Sequence, residues 1–144
     1  MVNTWIVVAE SSRARIFAAA QSTGALTELD DLVHPQSRLH DRDLTSDLPG
    51  RAFDSTGRRH SFEQNQDPKR HEAEIFAKQI ALHLETARND GRFDQLVLIA
   101  PPTFLGLLRE RLDATTAKQV TRTIVKDLIT LNTGELRQYL ADHA

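Results

Sequence analysis

No cysteine occurs among the 144 residues, so disulfides, thiolate metal sites and cysteine nucleophiles are excluded, and an intracellular setting fits the composition. Long hydrophobic runs are missing as well. The opening stretch from Met1 to Glu10 carries no basic leader, and its apolar run is far too short to span a bilayer, so a soluble cytoplasmic protein with no membrane partner is expected. A strong charge of either sign is also absent. The formal net charge of −2 argues against a domain wrapped in phosphate backbone, although a local basic patch can sit on a nearly neutral protein. There is no internal repeat, no low-complexity tract and no second hydrophobic pattern that would mark a boundary, so residues 1–144 read as one domain. At this length about two-thirds of the unfolded surface can be buried, enough for a core without metal or disulfide staples.

What is present is a well-patterned α/β chain with one polar interruption. Trp5 to Ala9 is continuously apolar and rich in β-branched residues, as in a strand covered on both faces inside a sheet. Arg13 to Ala20 returns antiparallel after a short turn, with Arg13, Arg15 and Phe17 on one face and Ala14, Ile16 and Ala18 on the other. Leu26 to Val33 is short between Gly24 and Pro35 and reads as a third, edge strand, although its leucine spacing would also suit a helix. Asp67-Pro68 predicts a helix start. Ala73, Phe76, Ala77, Ile80, Leu84 and Ala87 then recur every three or four residues until Asn89-Asp90-Gly91 ends the run. A buried strand at Leu96 to Ala100, a helix from Pro101-Pro102 through Leu112, and a last strand from Val120 to Asp127 follow. Asn132-Thr133-Gly134-Glu135 has the capping-box pattern that opens a final helix. Three consecutive strands favour an antiparallel meander, and the later alternation favours right-handed crossovers that lay parallel strands beside the first. The predicted fold is α/β, a ribonuclease H-like mixed sheet with a long polar insertion before the first helix.

That insertion, from His34 to about Asp67, is the candidate site, because compact domains rarely keep so long a connection without a use for it. It holds Arg38, His40, Arg42, Arg51, Arg58, Arg59 and His60, with Arg13 and Arg15 on the neighbouring strand. Guanidinium forks recognise carboxylate and phosphate in a bidentate way, so these residues offer an anion site. Asp41, Asp43, Asp47, Asp54 and Glu63 are interleaved and can neutralise much of that charge. Arg58-Arg59-His60 is the least compensated trio, and Phe53 and Phe62 are apolar anchors that could pin the segment to the body. The histidines lack the spacing of common zinc sites and read as solvated or hydrogen-bonded side chains. Ser11-Ser12 beside Glu10 lacks a nucleophile elbow and a base, which leaves turn-forming serines. A metal-dependent nuclease needs converging carboxylates, yet Glu10 has no acidic partner at the end of the fourth strand, where Ile99-Ala100-Pro101-Pro102 stands.

Several blocks resemble one family. Thr4 to Ala9, Ser12 to Phe17, Val33-His34-Pro35-Gln36-Ser37-Arg38, Leu48-Pro49-Gly50-Arg51, Asp67-Pro68 with His71-Glu72-Ala73-Glu74, and Ala100 to Arg109 look like bacterial host-attachment proteins, in family order over nearly the whole chain. The resemblance implies a requirement in attachment to host cells and, through related proteins, a likeness to the second domain of archaeal and eukaryotic peptide-chain release factors. In that domain a Gly-Gly-Gln loop between the early strands and the long helix promotes peptidyl-tRNA hydrolysis. Here the corresponding region has Pro49-Gly50-Arg51 and Gly57-Arg58-Arg59-His60, and Gly-Gly-Gln occurs nowhere. The resemblance thus implies the fold and an association with ribosome or tRNA, and with the residue reading above the expectation is a non-catalytic protein that docks ribosome, tRNA or other RNA through its arginine-rich loop, with no cofactor and no metal. Two alternatives stand beside it, a metal-dependent hydrolase using Glu10, Asp41 and Asp43, and a protein-interaction module acting indirectly in attachment.

Overall fold

The structure, a computed structural model, describes residues 3–20, 24–34 and 68–143. Among these, five strands and four helices follow one another as β1 (Thr4–Glu10), β2 (Arg13–Ala19), β3 (Leu26–Val33), α1 (Pro68–Asn89), β4 (Gln95–Ala100), α2 (Pro102–Arg111), α3 (Ala114–Lys118), β5 (Val120–Val125) and α4 (Thr133–Asp142). The strands form one mixed sheet in the order β3-β2-β1-β4-β5. β1 and β2, and β2 and β3, pair antiparallel, whereas β4 runs parallel to β1 and to β5. The continuously apolar strand is thus interior, flanked by β2 and β4 as its composition predicts.

The alternation along β2 sorts the core into two layers. Ala14 and Ile16 join Trp5, Val7 and Ala9 under α1 and α2, while Phe17 joins Ile6, Val8, Val97 and Ile99 under α4. The periodic face of α1 is the buried one: Ala73, Phe76, Ala77, Ile80, Leu84 and Ala87 all lie inside. At 22 residues α1 is about 33 Å long, enough to cross the sheet. It stops where predicted, and Gly91 takes a positive φ of 73° that a side chain would resist. In α4 the capping box is complete: the Asn132 side chain accepts from Glu135 N–H, and Glu135 accepts from Asn132 N–H.

The structure corrects the sequence reading in three places. The last strand ends at Val125 and not at Asp127, because Ala100↔Val125 is the final pair that β4 can offer. The helix after Pro101 ends at Arg111, since Leu112 is already extended. A separate short helix, α3, then follows, capped by Asp113, whose side chain accepts from Thr116 N–H. The predicted cap at Asp67 lies outside the described residues.

Candidate functional site

β1 and β4 are parallel neighbours, so their carboxyl ends open on the same rim of the sheet. Ligands of open α/β sheets bind outside such ends, where the chain leaves in different directions. A cleft of about 460 Å³ lies there. Glu10 and Ser11 at the end of β1, Lys69 and Arg70 in the first turn of α1, Thr103 and Phe104 in the first turn of α2, and Asp127 after β5 contribute to its walls. Neither helix has an acidic residue in its first turn, and α2 has no side-chain cap. Lys69 and Arg70 therefore sit at the positive end of the α1 dipole, the less favourable end for a cation. Arg70 is held there by Glu74 at 3.3 Å.

Glu10 does not act as a free carboxylate in this cleft. Its Oε1 accepts from both the backbone N–H and, at 2.7 Å, the hydroxyl of Ser12, which closes the two-residue turn between β1 and β2. Ser11 and Ser12 form that turn. Among the described residues no group of three His, Asp or Glu side chains could hold a metal ion, and Asp41 and Asp43, the other carboxylates of the hydrolase alternative, lie outside the described residues.

Two points of the body flank the arginine-rich segment at this rim. His34, the residue after β3, is buried, stacks on Phe76 with ring centroids 5.4 Å apart, and meets Glu72 of α1 at 2.8 Å. Its backbone N–H donates to the Ser12 carbonyl. Pro68 begins α1 one residue before Lys69. The segment thus leaves and re-enters the described fold beside the cleft. Arg38, His40, Arg42, Arg51, Arg58, Arg59 and His60 all lie outside the described residues.

Of the predicted anion-binding residues, the two that are described are held by the chain's own oxygens. Arg15 is 8% exposed. Its Nε and Nη2 donate to the two carboxylate oxygens of Glu28, its Nη1 donates to the carbonyls of Ile129 and Leu131, and its guanidinium carbon lies 5.0 Å from the centre of the Phe17 ring. Arg13 makes a bidentate pair with Asp31 at 2.9 and 2.7 Å on the surface, and that pairing raises the pKa of its guanidinium further. Arg15 thus braces β2 and β3 against the connection between β5 and α4. No sequence pattern marks the cleft walls themselves, apart from the basic pair Lys69-Arg70 at a helix start, a placement that the dipole disfavours.

Residues 5–140 match the family described as "Protein required for attachment to host cells". The chain belongs to this family. A curated relative of the host-attachment chain, an uncharacterized protein of Rickettsia prowazekii (strain Madrid E), is 36% identical over 73 residues, 49% of each chain; the match spans about half the relative's length. Among solved structures, one titled "Archaeal protein" superposes with a TM-score of 0.49 at 12% identity, covering 99% of this chain and 37% of that one. The Aquifex aeolicus Ppx/GppA phosphatase, type II variant, superposes with a TM-score of 0.43 at 9% identity, covering 87% and 36%. No helix among the described residues is long and apolar enough to cross a membrane.

Proposed function

We propose that this host-attachment chain is a single-domain, non-catalytic binding protein of the cytoplasm. Its arginine-rich segment, residues 35–67, docks RNA or a ribosomal complex at the cleft on the carboxyl rim of the sheet. The observation that supports this reading is the placement of the segment's two ends. His34, fixed by Glu72 and Phe76, and Pro68, followed by Lys69 and Arg70, both stand at that rim. The cleft between these ends already presents two basic side chains. Phosphate contacts of this kind position a nucleic acid without reading its bases.

The order β3-β2-β1-β4-β5, with β2 and β3 antiparallel to β1 and β2, supports a ribonuclease H-like reading of the fold. With it comes the likeness to the release-factor domain and hence the ribosome as partner. Without Gly-Gly-Gln, peptide release is not part of the proposal. The part played in attachment to host cells is then indirect.

Sedimentation through a sucrose cushion tests the proposal. At about 50 mM salt, where phosphate contacts are strong, the protein is expected to pellet with ribosomes and to bind labelled tRNA. Failure to bind ribosomes, tRNA or any other RNA under these conditions overturns it.

A further inference from the structure

The two edges of the sheet differ in a way that the proposed rim site does not use. β3, at one edge, is guarded by charge: Glu28, Asp30 and Asp31 face Arg15, His83 and Arg13. Such inward-satisfied carboxylates blunt an edge against further pairing. β5, at the other edge, has the sequence Val120-Thr121-Arg122-Thr123-Ile124-Val125, with neither carboxylate nor proline. Thr121, Thr123 and Val125 are exposed, Val125 at 52%. Among the described residues β5 pairs on one side only, with β4, and in such a strand alternate N–H and C=O groups point outward and remain a template for another strand. Beside β5 runs a groove of about 490 Å³, walled by Leu112 and Ala117 and by Arg109 and Arg122.

We propose that the β5 edge and this groove accept an acidic segment of a partner protein, which adds in extended conformation as a sixth strand. Charge decides the partner. Among the described residues Arg109 and Arg122 line the groove against one carboxylate, Glu110, with Arg122 Nη2 also donating to the His143 carbonyl, while Lys118 precedes the strand and Lys126 follows it. Arg109, Lys118 and Lys126 make no ion pair among the described residues. A second copy of β5 would bring the same cations against this set. Single-stranded RNA uses aromatic faces for stacking, and no aromatic side chain among the described residues lines this groove. An acidic strand instead matches both the open backbone and the charge, and its alternate apolar side chains can rest on Leu112 and Ala117.

The test uses fluorescent peptides of about nine residues, a usual strand length, and the full chain. A peptide alternating Val and Glu is expected to bind at least about tenfold more tightly than one alternating Val and Lys, and than one alternating Pro and Glu, which keeps the charge but cannot donate to a ladder. Hydrogen exchange of the β5 amides should slow when the Val/Glu peptide is added. Combined Arg109→Gln and Lys118→Gln substitutions, both at exposed positions, should weaken it about five- to tenfold with the melting curve unchanged. Equal binding of the Val/Glu and Pro/Glu peptides, no change in β5 exchange, or displacement of the Val/Glu peptide by oligouridylate would each overturn the proposal. Loss of ribosome binding leaves these outcomes untouched, so the two sites fail independently.

Discussion

On one face of the sheet, α1 and α2 lay Phe76, Ile80, Leu84, Phe104 and Leu108 over Trp5, Val7, Ile16 and Leu98, a large apolar layer with the His34–Glu72 pair at its margin against Phe76. On the other, α4 offers Leu136 as its one buried residue, and Ile129 and Leu136, with partly buried Leu128, Leu131 and Leu140, close over Val8, Phe17 and Ile99. The second layer is completed by a charge. Arg15 lies over Phe17 and ties Glu28 of β3 to the carbonyls of Ile129 and Leu131. The contrast shows two ways of sealing a sheet. A helix of 22 residues covers its face mainly by apolar area, with directed bonds at its borders, whereas a helix of 10 residues leaves a connection that is tied down by bonds to a buried guanidinium. Burying a guanidinium is tolerable only because all these acceptors are in place.

Substitutions on the two faces sharpen this comparison. Ile80→Ala should be the most damaging, at about 2 to 5 kcal/mol in chemical denaturation, because a fully buried side chain leaves a cavity between α1 and the sheet. Lys78→Ala on the outer side of the same helix should stay within about 0.5 kcal/mol. Equal losses would mean that the face of α1 is assigned wrongly.

Arg15→Met comes next, at about 2 to 3 kcal/mol, since it leaves a carboxylate and two carbonyls without their charged donor. Arg13→Met should cost under about 1 kcal/mol, because its pair with Asp31 is partly exposed. If the two arginines cost the same, the second face is not sealed by directed bonds.

The smallest effect concerns Asp113. Its pKa is lowered, first by the hydrogen bonds from Thr116 and then by the nearby Arg88 guanidinium. A depressed folded pKa means that the stabilisation is complete above the ordinary carboxylate value and is lost as pH falls through the folded one. The melting temperature of Asp113→Asn should therefore lie slightly below wild type near neutral pH, and the gap should shrink below about pH 4. A gap that widens with acid would contradict the assignment.

The elements most legible in the sequence were those whose pattern coincides with their own burial. β1 and β4 are continuous apolar runs covered on both faces, α1 repeats its apolar residues at helical spacing, and Asn132 to Glu135 caps α4 with local bonds alone. β3 was legible only by its flanks, since Leu26, Leu29 and Leu32 are spaced as in a helix; pairing with β2 overrides that spacing. α3 escaped because five residues carry too little periodicity, although Asp113 followed by Thr116 is a cap signal. The role of Arg15 depends on bonds to Ile129 and Leu131, more than a hundred residues away, which no local pattern encodes. The same holds for the cleft, whose walls come from four separate parts of the chain.

The proposed binding of RNA or a ribosomal complex rests on the arginines between His34 and Pro68. It is tested most directly by titrating labelled tRNA against the wild-type protein and the Arg51→Ala, Arg58→Ala, Arg59→Ala triple variant over a range of salt. If all three side chains meet phosphates, the log-log slope of affinity against salt should become shallower by about 2 to 3, at about 0.7 to 0.9 per lost contact, while the melting temperature stays nearly constant. Wild-type binding with a slope that the triple substitution leaves unchanged would contradict the claim.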